Sequence, residues 1–144
     1  MPITKVPARD WTVEIETGPT PDFTEVGGLT TLTFGQESED TDTTDFDSNG
    51  EAEHRVMQRG RTLGLEGHYL EDKTNGDRDP GQAAIETLGE KVGEDSISMF
   101  RLTSPGGTEK KFRGSVELGD VGGGNNDMTS FAATITRSGG YVTT

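Results

Sequence analysis

The run Asp45-Phe46-Asp47-Ser48-Asn49-Gly50 places side-chain oxygens at alternate positions and a glycine where a sharp turn is needed, which is the first half of an EF-hand calcium loop. Asp45, Asp47 and Asn49 are its candidate ligands. The second half fails, because the position that should supply a bidentate glutamate is Val56 and the flanking segments read as strand or coil where an EF-hand needs helices. An acidic stretch produces such a loop by chance, and a solvated turn is the expectation. His54 and His68 are the only histidines and neither stands at a spacing that puts two ligands on one helical face, so no zinc site is expected. Serine, histidine and aspartate are all present, yet no Gly-x-Ser-x-Gly elbow occurs, and the chain does not read as an enzyme. Gly122-Gly123-Gly124 lacks the lysine and the following helix of a phosphate-binding loop and reads as a hairpin linker. No cofactor is implied.

Charge is the other chemistry on offer. From Gly35 to Val56 the chain carries Glu37, Glu39, Asp40, Asp42, Asp45, Asp47, Glu51 and Glu53, and no lysine or arginine occurs between Asp10 and His54. Segment 35–58 runs polar and acidic without a helix signal, so it reads as a long structureless acidic arm between two ordered strands. Its composition buries too little apolar area to offset ordering, which predicts an arm that is mobile in the free subunit and fixed on assembly. The densest positive cluster is Lys110, Lys111 and Arg113. On a strand these alternate faces, and their expected use is pairing with the acidic arm of a neighbouring copy.

The elements that must position these groups are mostly strands. Trp11, Val13 and Ile15 alternate with polar residues until Gly18-Pro19-Thr20-Pro21 stops the run. A short Phe23 to Val26 segment leads through Gly27-Gly28 into a Leu29 to Phe34 strand; beyond the arm, Arg61 to Leu70 puts Leu63, Leu65 and Tyr69 on one face. Asp79-Pro80-Gly81-Gln82 has an Asp cap and a first-turn proline, so it starts a helix whose stripe is Ala84, Ile85, Leu88 and Val92, with Gly93 as its end. Strands follow at Ser96 to Thr103, Lys110 to Leu118 and Met128 to Arg137, and Gly139-Gly140 releases a short tail. Trp11 and the phenylalanines are read as core. The fold class is mainly β: an antiparallel sandwich or rolled barrel with one flanking helix, in a single domain with an N-terminal arm 1–10, the acidic arm 35–58 and a tail 139–144.

With 144 residues of which 28% are hydrophobic, and 21 glycines, one lean core is all the chain can build. The formal charge of −13 opposes phosphate-binding and anionic-membrane surfaces, and repulsion of DNA is the more natural reading. There are no cysteines, no apolar h-region near Met1 and no membrane-length apolar run, so a soluble chain without a recognisable secretion signal is expected.

The order and spacing of these elements resemble a known family. Phe23-Thr24-Glu25-Val26-Gly27-Gly28-Leu29-Thr30-Thr31-Leu32-Thr33-Phe34, the following acidic arm, the Leu63-Gly64-Leu65-Glu66-Gly67 strand, the Pro80-Gly81-Gln82-Ala83-Ala84 helix start and Phe112-Arg113-Gly114-Ser115-Val116 together are similar to the major tail tube proteins of long-tailed, non-contractile bacteriophages. The likeness spans roughly Phe23 to Gly139, and type VI secretion inner tubes share that fold. The resemblance implies sheets of six subunits joined in a ring, rings stacked into a tube, a long loop reaching a neighbour, and tape-measure, terminator and baseplate or distal tail proteins as partners. It also implies a place in the virion tail after synthesis in the host cytoplasm. Glu66 and Glu117, on outward strand positions, are then first choices to line the lumen. Two other readings stand beside it: a single-ring virion component of the same fold, such as a terminator, head-completion or baseplate protein, and a small secreted β-module using the Asp45 to Gly50 loop for calcium.

Overall fold

Period-two alternation buries Val13 and Ile15 on one strand, Leu63 and Leu65 on another, and Phe131, Ala133 and Ile135 on a third, and burial of these faces against one another is what assembles the molecule. The computed structural model describes residues 3–17 and 22–142. Its strands are β1 (Thr12–Glu16), β2 (Phe23–Glu25), β3 (Leu29–Asp42), β4 (His54–His68), β5 (Ile97–Thr103), β6 (Glu109–Leu118) and β7 (Ser130–Val142), with one α-helix, α1 (Pro80–Gly89). They form a seven-stranded sheet in the order β2-β1-β5-β6-β7-β4-β3, with each neighbouring pair antiparallel. The fold is thus mainly β with a flanking helix, as the alternation implies. The glycine and proline stop at 18–21 lies outside the described residues.

This sheet is rolled. Laid flat, its two edge strands would stand about 29 Å apart at ~4.8 Å per strand. Only Val26, Gly27 and Gly28 connect them, a reach of about 14 Å. The edges therefore approach at that end, where the His68 amide donates to the Gly28 carbonyl at 2.9 Å. The inner face holds the core, with Phe100 and Phe112 stacked at 6.0 Å between centroids and Phe34 stacked on Phe112 at 6.1 Å.

Helix α1 closes the same end. Asp79 caps it, its Oδ2 accepting from the Gln82 and Gly27 amides, each at 3.1 Å. Gln82 is fully buried, accepts from the Leu70 amide at 3.1 Å and donates to the carbonyls of Gly27 and His68 at 2.9 and 2.8 Å. One side chain so joins the β2–β3 turn, the end of β4 and the helix. A Cβ on Gly81 would sit 2.3 Å from the Glu25 carbonyl oxygen, so only glycine lets the helix come this close. Ile85 and Leu88 face the core, but the helix ends at Gly89; Val92 is exposed and Gly93, at φ 71°, opens the next 3-10 turn rather than terminating the helix.

Three further expectations are corrected. Segment 35–58 is not structureless: β3 and β4 pair without interruption from Leu29↔Gly67 to Asp42↔His54 apart from two irregularities, near Thr31 and between Glu39 and Asp40. Backbone hydrogen bonds do not require apolar side chains, so a ribbon polar on both faces forms a ladder without leaving a hydrophobic pattern. Nor does Gly139-Gly140 release a tail. Gly139 adopts φ 82° inside a bulge, after which Tyr141 pairs with Phe112 and Val142 with Lys111; of this expected tail, residues 143–144 lie outside the described residues. Finally, β7 begins at Ser130, and Met128 is exposed.

Candidate functional site: a projecting ribbon and the mouth at its base

Strand β4 pairs with β7 only from Thr62 to His68, whereas its pairing with β3 runs on to His54, so the outer half of the β3–β4 hairpin leaves the sheet as a two-stranded ribbon. One strand carries Glu37, Glu39, Asp40 and Asp42, and the other His54, Arg55, Arg59 and Arg61. In this register Glu37, Glu39 and Asp40 face Gly60, Gln58 and Val56, and Arg59 and Arg55 face Ser38 and Thr41, so no two like charges stand opposite one another. Thr44 donates from its backbone to Asp42 at 2.9 Å, and its hydrogen bonds hold that carboxylate below its ordinary range.

The tip is a built turn. Asp45 caps a 3-10 turn, Phe46–Ser48: its Oδ1 accepts from the Asp47 amide at 3.0 Å and from Ser48 Oγ at 3.2 Å, while the Asp45 amide donates to Ser48 Oγ at 3.1 Å. Asn49 and Gly50 take left-handed backbones, φ 53° and 84°. The Asp45 side chain thus holds the turn, which Asp47 joins by its amide and Asn49 by its left-handed backbone, and no group of three or more His, Asp or Glu side chains converges among the described residues. The tip also corrects the reading of the phenylalanines as core, because Phe46 is fully exposed. Glu51 and Glu53 are exposed beside it.

At the base of the ribbon lies a cationic and aromatic mouth. Arg61 sits over the Phe34 ring at 4.6 Å, Lys110 lies 5.5 Å from Phe34 and 5.8 Å from Tyr141, and Arg137 sits over Tyr141 at 4.6 Å. Arg137 Nε is buried with no hydrogen-bond acceptor, although its Nη2 reaches the Arg59 carbonyl at 3.5 Å. A cleft of about 740 Å³ adjoins the mouth, lined by Glu37, Glu39, Arg59, Arg137, Gly139 and Gly140 among others. Ion pairs join Arg78 with Glu86 and Arg101 with Glu14, away from the mouth.

The expected basic trio is divided. Lys110 shares the inner face with Phe112, while Lys111 and Arg113 take the outer face, where Lys111 lies 5.9 Å from the Phe23 ring. The structure joins Lys110 instead to Arg61 and Arg137, which the sequence reading passed over. A usable signal was present: the acidic block of β3 is followed, across an Asp-Ser-Asn-Gly turn, by a basic block of matching length.

Glu66 and Glu117 come together. Both are exposed on the outer face of the sheet, where Glu117 pairs across from Thr134, Thr134 from Gly64, and Glu66 from Ala132. With Thr31, Thr33 and Thr134 they line a shallow concavity of about 440 Å³ whose lining includes no lysine or arginine.

No helix among the described residues is long and apolar enough to cross a membrane. No protein-family model matches the chain. No curated protein matches it either. Solved structures do share its fold: a chain in the tail of an empty gene transfer agent particle with C6 symmetry, TM-score 0.76 and 15% identity over 97% of this chain and 99% of that one; a chain in the virion of the native gene transfer agent particle, TM-score 0.64 and 17% identity over 96% and 100%; and a chain in the sixfold-symmetrised baseplate of the anti-feeding prophage, TM-score 0.51 and 13% identity over 99% and 95%. At these identities the likeness is one of fold, and it extends over nearly the full length of each chain compared.

Proposed function

We propose that this chain is a structural subunit of a phage-like tail, joining copies of itself into sixfold rings that stack as a tube and let DNA pass. The observation that carries this reading is the ribbon: a rolled sheet matching, end to end, a chain of a C6 tail projects a charged two-stranded arm that has no packing partner of its own. The long β3 edge is likewise unpaired along one side. Such an edge invites pairing with another chain, and ring closure removes it. The outer face with Glu66 and Glu117 suits a lumen, since carboxylates repel phosphate within a screening distance of about 8 to 10 Å. The role is structural rather than catalytic, with tape-measure, terminator and distal tail proteins as partners in the virion.

A concentration series followed by light scattering and negative-stain electron microscopy tests this. Hollow rings or tubes are expected. A variant in which a two-residue Asn-Gly turn replaces Asp40 to Met57, joining the paired Glu39 and Gln58, keeps the core and its melting temperature but forms no tubes. Normal tubes from that variant would overturn the role given to the ribbon. The likeness to a baseplate chain favours one second reading, a single-ring component; discrete rings that never stack would select it.

A further inference from the structure

Three cations gather on two aromatic rings in a chain whose acidic residues outnumber its basic ones 26 to 13. Arg61 and Lys110 share Phe34, Lys110 and Arg137 share Tyr141, none is in an ion pair of the structure, and Arg137 Nε is buried without an acceptor. Like charges held this close repel one another, and a buried donor without an acceptor costs stability. Both deficits are relieved by an anionic group with an apolar side chain to set against the ring edges. The ribbon tip has that composition. Phe46 stands fully exposed on a turn fixed by Asp45 and Ser48, flanked by Asp47 and Glu51.

A chain's own tip does not reach its own mouth. Eight ladder steps separate Phe34↔Leu63 from Asp42↔His54, about 26 Å at ~3.3 Å per residue, and the paired strands hold the two ends apart. We propose that the mouth formed by Arg61, Lys110 and Arg137 over Phe34 and Tyr141 receives the ribbon tip of a second copy of this chain, with Phe46 as the apolar anchor and the carboxylates of Asp47 and Glu51 against the cations. Glu37 and Glu39 pair across from Gly60 and Gln58, on the opposite face of the ribbon from Arg61, and border the cleft beside Arg137. A nucleic acid phosphate would satisfy the cations but offers nothing for the rings, and the net charge of −13 opposes its approach. The inference rests on the reading that copies of the chain assemble, and it supplies the two halves of one contact.

The test uses the full-length protein with a photo-crosslinking phenylalanine analogue at position 46. Intermolecular adducts are expected on residues 34, 59–61, 110–112 and 137–142. Adducts elsewhere, or none at any concentration, overturn the proposal. Charge exchange supplies the second arm. Asp47→Lys with Glu51→Lys, and separately Arg61→Glu with Lys110→Glu, each weaken self-association by about tenfold or more, while a one-to-one mixture of the two variants recovers it, because the lysine tip then meets a mouth of net negative sign and the acidic tip meets the unchanged cationic one. Both variants keep the wild-type melting temperature. Failure of the mixture to recover association overturns the pairing, as does retention of a short DNA duplex by the wild type that Lys110→Gln abolishes. Tubes that form with adducts elsewhere end this inference and spare the tail reading; adducts at the mouth in assemblies that never stack do the reverse.

Discussion

Gln82 shows how much one buried polar side chain decides. It satisfies the Leu70 amide and the carbonyls of Gly27 and His68, groups on two separate stretches of chain, in the region where the sheet edges meet. Gln82→Leu fills the space but leaves these groups without partners, and a loss of about 2 to 4 kcal/mol is expected in chemical denaturation. A loss below about 0.5 kcal/mol would mean that the rolled end is held by other contacts. Arg78 is a second such tie. It donates to both carboxylate oxygens of Glu86, at 2.8 and 2.6 Å, and to the Leu70 carbonyl at 3.1 Å, and covers the Tyr69 ring at 3.8 Å. The Arg78 hydrogen bonds hold the Glu86 carboxyl below its ordinary value of 4.5 despite an opposing desolvation effect. Because the folded value is the lower one, the stabilisation is present above pH 4.5 and is lost as pH falls below it. Glu86→Gln should therefore lower the melting temperature at pH 7 and converge with the wild type in strongly acidic buffer; a constant gap across that range would contradict the ion-pair account.

Among the elements, the β3–β4 hairpin divides into two regimes. From Leu29 to Phe34 and from Thr62 to His68 its side chains alternate between core and solvent, and burial sets the register. Beyond Gln36 and Arg61 no apolar side chain is buried, and the backbone ladder sets it instead. Amides at ladder positions between Gln36 and Asp42 should accordingly exchange faster with solvent than those of Leu63 and Leu65, yet slower than those of an unpaired loop. Exchange at the unpaired rate throughout would show that the ribbon forms only on assembly. The helix is the opposite case: cap, first-turn proline and apolar stripe were all readable from sequence, and only its end was misplaced, because Val92 continues the spacing of Ile85 and Leu88 while the chain has already turned away at Glu90.

For the molecule as a whole, the two faces of the rolled sheet differ in chemistry. The inner face is apolar up to the cationic mouth; the outer face of β3, β4, β7 and β6 carries Thr31, Thr33, Thr134, Glu66 and Glu117. If copies assemble with that outer face toward a channel, Glu66→Lys with Glu117→Lys converts a repelling surface into an attracting one. Assembled tubes of that variant are expected to retain labelled DNA that the wild type releases, with retention falling as salt rises. Equal release by both would move the lumen to another face.

The class of fold, the helix and its cap, the core residues of β1, β4 and β7, and the acidity of the arm were all determined by the sequence alone, because each is recorded in residue type and local spacing. What the tertiary structure decided is of another kind. A ribbon polar on both faces has no period to betray it, since hydrophobic periodicity reports burial and no apolar side chain on this ribbon is buried. The mouth unites Phe34, Arg61, Lys110, Arg137 and Tyr141 from four strands, and only the rolling of the sheet and the bulge at Gly139 bring them to one place. Contacts between residues so far apart in the chain depend on topology and register, which local spacing does not encode.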